Sequence, residues 1–269
     1  MLKQISLGRY YPGQSILHQL DPRVKLIVSL CYMALVFLIQ AAIPMLLLGL
    51  LTLLLILLSG VPLRHILNSL KPILFILIFA FVINLLTVEG EQLLAIGPLT
   101  ITDQGVYTAL RMAARLTLLI ISTTLFLTLT TTPILVADAI ESLLGPLRRI
   151  GFPVHEMAMM MSIALRFVPT LLEETDKIMK AQSSRGADYD TGGLIAKARG
   201  LVSVLIPLFV SAFKRAEELA VAMEARCYRG GEGRTRLKVM QVKRHDWIFC
   251  LLLGLYSAAL LVVQFVPLG

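Results

Sequence analysis

The chain has 269 residues, 57% of them hydrophobic and only 16% charged, with a formal net charge of +8. That composition is far from the soluble norm and excludes an ordinary water-soluble enzyme or binding module. The surplus of positive charge calls for no nucleic acid: positive-inside bias and contact with anionic lipid headgroups account for it, and no RNA- or DNA-binding motif accompanies it.

Five apolar runs follow one another in the chain, against the ~20 residues that cross a hydrocarbon core. Before the first, Asp21-Pro22 reads as a helix start, with Asp as N-cap and Pro at the first helical position. His18 belongs to the same packing, and Arg23 and Lys25 fit the inner interface. The runs cover residues 26–39, 45–58, 72–86, the Thr-rich 116–129, and 247–266, which carries Trp247 and Tyr256. Threonine hydroxyls in the fourth run can bond back to their own helix. Lys3, Arg9, Arg23 and Lys25 place the N-terminus in the cytoplasm, and Arg64 and Lys71 return inside. The segment 89–103 holds Glu89, Glu91 and Asp103 without Lys or Arg, as an outer loop should. Five spans then leave the C-terminus outside. Arg111 and Arg115, near the outer end of the fourth span, are expected to snorkel or to pair within the bundle, with a substrate role as the alternative. Cys31 and Cys250 fall in spans and Cys227 in the cytosolic part, so no disulfide framework is expected.

Residues 130–245 mix apolar stripes with dense charge and read as amphipathic helices. A short helix around Asp138, Ile140 and Leu143 stops near Gly145-Pro146. A long one from His155 follows, with Met157, Met160, Met161, Ala164, Val168 and Leu171 three or four apart. It ends at Arg185 with Gly186 in the capping place. Another begins before Pro207 and runs through Leu208, Ala212, Ala216, Leu219, Ala220 and Met223 to Arg226, with Lys214, Arg215, Glu217, Glu218 and Glu224 on its opposite face. Pro169 and Pro207 each open the arginine-tipped half of a helix at a comparable distance and remove a helical hydrogen bond, so they are candidate hinges. The predicted fold is all-α: about five transmembrane helices and a cytoplasmic domain of long crossing amphipathic helices whose tips project toward the cytosol. The predicted domains are 1–129, 130–245 and 246–269.

The ends of the two long helices repeat one pattern. Ala181-Gln182-Ser183-Ser184-Arg185 and Ala222-Met223-Glu224-Ala225-Arg226 each place Ala, two variable residues and a small residue before Arg. The helix macrodipole favours a cation there by ~0.3–1 kcal/mol. That alone does not predict the same small-residue neighbourhood twice. Small residues let a partner approach the helix end, and the guanidinium fork engages a carboxylate bidentately. Two such tips on one chain suit two similar sockets.

Three blocks resemble one family: 11–25 before the first span; 165–169 followed by 181–186; and 206–207 through 215–226. The chain resembles the transmembrane T component of energy-coupling factor (ECF) transporters, the EcfT/CbiQ family, over nearly its whole length. The resemblance implies a non-catalytic scaffold joining two ABC-type ATPase subunits to a membrane S component that captures a vitamin or metal ion. Arg185 and Arg226 would enter grooves of the ATPases, with Ala181, Ser184, Gly186, Ala222, Ala225 and Cys227 lining the contacts. Met157, Met160 and Met161 would offer the S component a deformable surface. ATP and Mg would be bound in the partner ATPases, since no phosphate-binding loop occurs here, and no cofactor by this chain. His65, His155 and His245 show no metal-ligand spacing. The sequence departs from the family at Ser184, where Ala is usual, and at Cys227, where Gly is usual. A left-handed Cys costs ~1–2 kcal/mol, so the second helix is expected to continue toward Gly230. Two rival readings are a conventional ABC permease subunit and a lipid-modifying enzyme using Asp138, Glu141 and His155.

Overall fold

The computed structural model describes residues 10–13, 15–96, 99–186, 193–230 and 240–265. The chain divides into two compact units, a bundle unit of Gly8–Ala139 with Val239–Gly269, and a helix-pair unit within Ile140–Lys238.

The bundle unit opens with a short helix α1 (Ile16–Gln19) and then α2 (Pro22–Leu38). Asp21 caps α2 by accepting from the Arg23 N–H at 2.9 Å, with Pro22 in the first turn, as the sequence predicts. Next come α3 (Ala42–Ser59), α4 (Leu63–Leu70) and α5 (Leu74–Thr87), the last two joined through a 3-10 turn at Lys71–Ile73. A hairpin of β1 (Gln92–Ile96) and β2 (Leu99–Thr102) leads to α6 (Asp103–Thr123), which continues as a π-helical turn over Thr124–Leu129. After α7 (Pro133–Leu143), the bundle is completed by α10 (Arg244–Phe265). Its core gathers Tyr32, Leu35 and Val36 of α2 with Leu48, Leu118 and Leu260.

Among the described residues, four helical stretches are long and apolar enough to cross a membrane: Ala42–Ser59, Leu63–Thr87, Asp103–Leu129 and Arg244–Phe265. The predicted first span is the 17-residue α2, at the lower end of the ~17–25 residues that suffice. The span predicted at 72–86 begins earlier, at Leu63, and that predicted at 116–129 begins at Asp103. The loop predicted between them is partly a two-stranded hairpin, with Ala95 opposite Thr100 and Ile96 opposite Leu99. Its end caps α6, because Thr102 Oγ1 accepts from the Gly105 N–H at 3.0 Å. Gly105 lies where α5 and α6 touch: a Cβ there would meet the Leu85 carbonyl oxygen at 2.9 Å. Thr117, Thr123 and Thr130 do bond back to carbonyls four residues earlier.

Two polar arrangements in the bundle differ from simple interface anchoring. Lys25, predicted at the inner interface, is 2% exposed and donates to the carbonyls of His18 (3.2 Å) and Thr130 (2.8 Å). Asp246, 1% exposed, accepts from the backbone N–H of Asp21 (3.0 Å) and of Lys243 (2.7 Å), tying the starts of α2 and α10 together. At its other end α2 leaves carbonyls without helical partners. Gln264, Arg115 and Arg111 donate to those of Leu38, Ile39 and Gln40 at 2.9, 2.8 and 3.3 Å. The two arginines thus pair within the bundle, one of the predicted outcomes, because cations suit the negative end of a helix.

The helix-pair unit holds α8 (Val154–Ser184) and α9 (Leu194–Ala225) after a 3-10 turn at Gly145–Ile150. Pro169 and Pro207 lie inside these helices and open neither of them. Each helix simply runs on through the missing bond, because tertiary contacts sustain the turns on both sides.

Candidate functional site

The site is built from the two long helices and their C-terminal ends. Met159 and Ile163, near the start of α8, lie beside Met223 and Arg226 at the end of α9. Farther along α8, Glu174 meets Ser211 and Arg215, earlier in α9. The helices therefore pass each other in opposite senses, and their arginine-bearing ends lie on opposite sides of the contact. Ala212 and Ala216 face Phe167 and Leu171 across the seam, where small residues permit close approach.

A clasp holds the seam. Glu174 Oε1 accepts from Ser211 Oγ at 2.6 Å, and Oε2 accepts from Arg215 Nε at 3.0 Å and Nη2 at 2.6 Å. These bonds, the Ser211 one foremost and then the Arg215 ones, hold the Glu174 carboxyl below its usual range. Arg215 was predicted on the polar face of α9; it lies in the seam, where its long side chain reaches Glu174.

The clasp is also the midpoint of the site. Arg185 follows Glu174, and Arg226 follows Arg215, by the same eleven residues. At ~1.5 Å per residue each arginine stands ~16 Å beyond the clasp, in opposite directions, and the tips are ~25–35 Å apart. Neither arm contains a proline. Both prolines precede the clasp residue of their own helix. The sequence reading singled out the arginines but not the clasp; the shared spacing was the signal that could have found it.

The two tips share a backbone geometry. Arg185 caps α8 with φ −93° and ψ 7°, and Arg226 caps α9 with φ −93° and ψ 14°. Each is followed by a left-handed residue, Gly186 at φ 86° and Cys227 at φ 55°. Cys227 N–H donates to the Glu224 carbonyl at 2.9 Å and Tyr228 N–H to that of Met223 at 3.0 Å, the paired closure that ends helices. The helix therefore does not continue toward Gly230: two bonds to otherwise orphaned carbonyls outweigh the ~1–2 kcal/mol of strain at Cys227.

Arg185, Arg226, Ala181, Ser184, Gly186, Ala225 and Cys227 are exposed, and Ala222 is half-buried. Neither tip arginine has an ion-pair partner among the described residues. Met157, Met160 and Met161 are exposed on α8, ten or more residues before the clasp. Among the described residues of this unit only Val154, Gly200 and Val204 are buried, so α8 and α9 leave much apolar surface uncovered, including Phe209 and Phe213. An exposed apolar surface of this kind marks an interaction face. Of the residues weighed for an enzyme, Glu141 Oε1 and His155 Nδ1 are 3.2 Å apart.

Apolar helices long enough to span a bilayer, together with an amphipathic pair of helices ending in matched arginine tips, define a multi-pass α-helical membrane protein. The family model described as "Cobalt transport protein", CbiQ, matches residues 13–237, and the chain belongs to that family. It is 55% identical to the energy-coupling factor transporter transmembrane protein EcfT of Ruminiclostridium cellulolyticum, over 91% of this chain and 92% of that one. The like-named protein of Thermosediminibacter oceani is 46% identical over 98% of this chain and 100% of its own. That of Bacillus subtilis is 49% identical over 88% and 90%. The chain is accordingly a transmembrane component of the ECF transporter type.

Proposed function

We propose that this chain is the energy-coupling scaffold of an ECF-type importer. It transmits ATP-driven motion from two ABC-type ATPase subunits to a substrate-binding S component, for uptake of a vitamin or metal ion. The observation that carries this reading is the matched pair of exposed arginine tips, equidistant from the Glu174–Arg215 clasp. Arg185 and Arg226 dock in the two ATPases, where ATP and Mg are bound, and Ala181, Ser184, Gly186, Ala222, Ala225 and Cys227 let the sockets close around the helix ends. When ATP draws the ATPases together, the sockets move the tips and the proline-free arms act as levers. Pro169 and Pro207, each lacking one helix bond, are the flexing points. Met157, Met160 and Met161 pass the displacement to the S component. The coupling unit lies in the cytoplasm, with the N-terminus inside and the C-terminus outside.

The test is co-purification of the chain with its ATPase pair, alongside substrate-coupled ATP hydrolysis and uptake. A charge-assisted bidentate contact contributes ~1.5–3 kcal/mol, so Arg185→Ala or Arg226→Ala alone should weaken association roughly 10- to 150-fold. The double variant should abolish coupled hydrolysis while its membrane insertion stays normal. Unchanged uptake in the double variant would refute the proposal.

A further inference from the structure

The bundle unit carries a groove between α3 and α6 that the coupling reading does not use. Its floor is made of small residues, Ala42 and Gly49 of α3 and Ala113 and Ala114 of α6. Leu46 and Leu110 stand exposed along it. From Ala42 to Gly49 it follows ~10 Å of helix, two-thirds of the ~15 Å of hydrocarbon in one leaflet.

One end of this apolar groove is cationic. Arg111 lines it and donates one N–H to the Gln40 carbonyl in the α2–α3 turn, which sets the guanidinium at the level where two helices end. Its Nε is shielded and has no partner, and neither has Nε of Arg115 one turn on. No acidic side chain pairs with either arginine among the described residues. The C-terminus of α2 supplies only about half an elementary charge against two cations. Guanidinium groups bonded only to carbonyls, with no anion beside them, keep an uncompensated charge, and a phosphate is the anion whose geometry fits their fork. Tyr107, whose ring lies 5.5 Å from the Arg111 guanidinium carbon, is the amphipathic ring residue expected at headgroup depth.

We infer that this groove binds an anionic phospholipid, its phosphate on Arg111 and one acyl chain laid along Gly49 and Ala113. A cation without an acidic partner at the mouth, Arg111, favours a lipid headgroup over an apolar helix of another membrane protein, which would leave that charge uncompensated.

The test uses the full chain in nanodiscs of equimolar phosphatidylglycerol and phosphatidylcholine, with retained lipid counted by native mass spectrometry. The parent should retain phosphatidylglycerol preferentially. Arg111→Gln should reduce that preference about tenfold, the loss expected for one charge-assisted contact. Gly49→Leu puts a side chain into the groove at a position where a Cβ meets nothing within 4 Å, and should lower retention with Arg111 intact. Equal retention of the two lipids by the parent, or a preference that survives Arg111→Gln, overturns the inference. So does displacement of the lipid by inorganic phosphate, which would mark a free-anion site. Gly49→Leu that keeps the lipid but releases a co-purifying membrane partner would assign the groove to a helix instead.

Discussion

Removing the Glu174 clasp should loosen the distance between the two arginine tips without unfolding either helix. Glu174 accepts three hydrogen bonds from α9, while the rest of the seam has few buried side chains, so apolar contact gives little orientational restraint. Glu174→Gln keeps the shape but removes the charge and turns an N–H group toward Arg215. With an arm of ~16 Å, a swing of about 10° moves each tip by ~3 Å and the separation by as much as ~6 Å. Spin labels on Ser184→Cys and Ala225→Cys, with Cys31, Cys227 and Cys250 replaced, report this directly as a distance distribution. The distribution should broaden by several ångströms in Glu174→Gln, and the loosened tips should couple ATPases less well. An unchanged mean and width would show that the apolar seam alone sets the geometry, and the clasp argument would fail.

Acid should reproduce that loosening in the parent. The folded Glu174 carboxyl lies below its ordinary 4.5, so its stabilising share is complete above about pH 4.5 and is lost as pH falls through the folded value. The label distribution should broaden on acidification in the parent and hardly change further in Glu174→Gln. Cys227→Gly relieves a left-handed non-glycine residue and should stabilise the end of α9 by about 1 kcal/mol, measured as slower amide exchange over residues 219–225. Asp246→Ala leaves two N–H donors unpaired in a buried site and should cost about 3 kcal/mol in thermal unfolding of the bundle, with the tip distance unaltered.

Much of the fold is legible because a bilayer leaves few choices: an apolar run must satisfy its own backbone bonds, and a helix does so locally. The Asp21-Pro22 start and the Arg185-Gly186 end were equally local, since capping depends on residues within one turn. The end at Cys227 was misjudged on local grounds. Left-handed strain argued for a longer helix, but the closing bonds from Cys227 and Tyr228 decided otherwise. That α8 and α9 run unbroken through Pro169 and Pro207 is not legible locally, because propensity has no knowledge of the partner helix that sustains them.

By itself the sequence determined the class of the protein, its resemblance to a family, and the end of α8 at Arg185-Gly186, all properties of composition and of short contiguous patterns. Only tertiary structure decided that Arg215 faces Glu174, that Lys25 is enclosed among the carbonyls of His18 and Thr130, and that Arg111 and Arg115 close the end of α2. A charge can be solvated or buried with identical neighbours in sequence. What separates the two cases is an acceptor elsewhere in the chain, which folding alone brings within hydrogen-bonding distance.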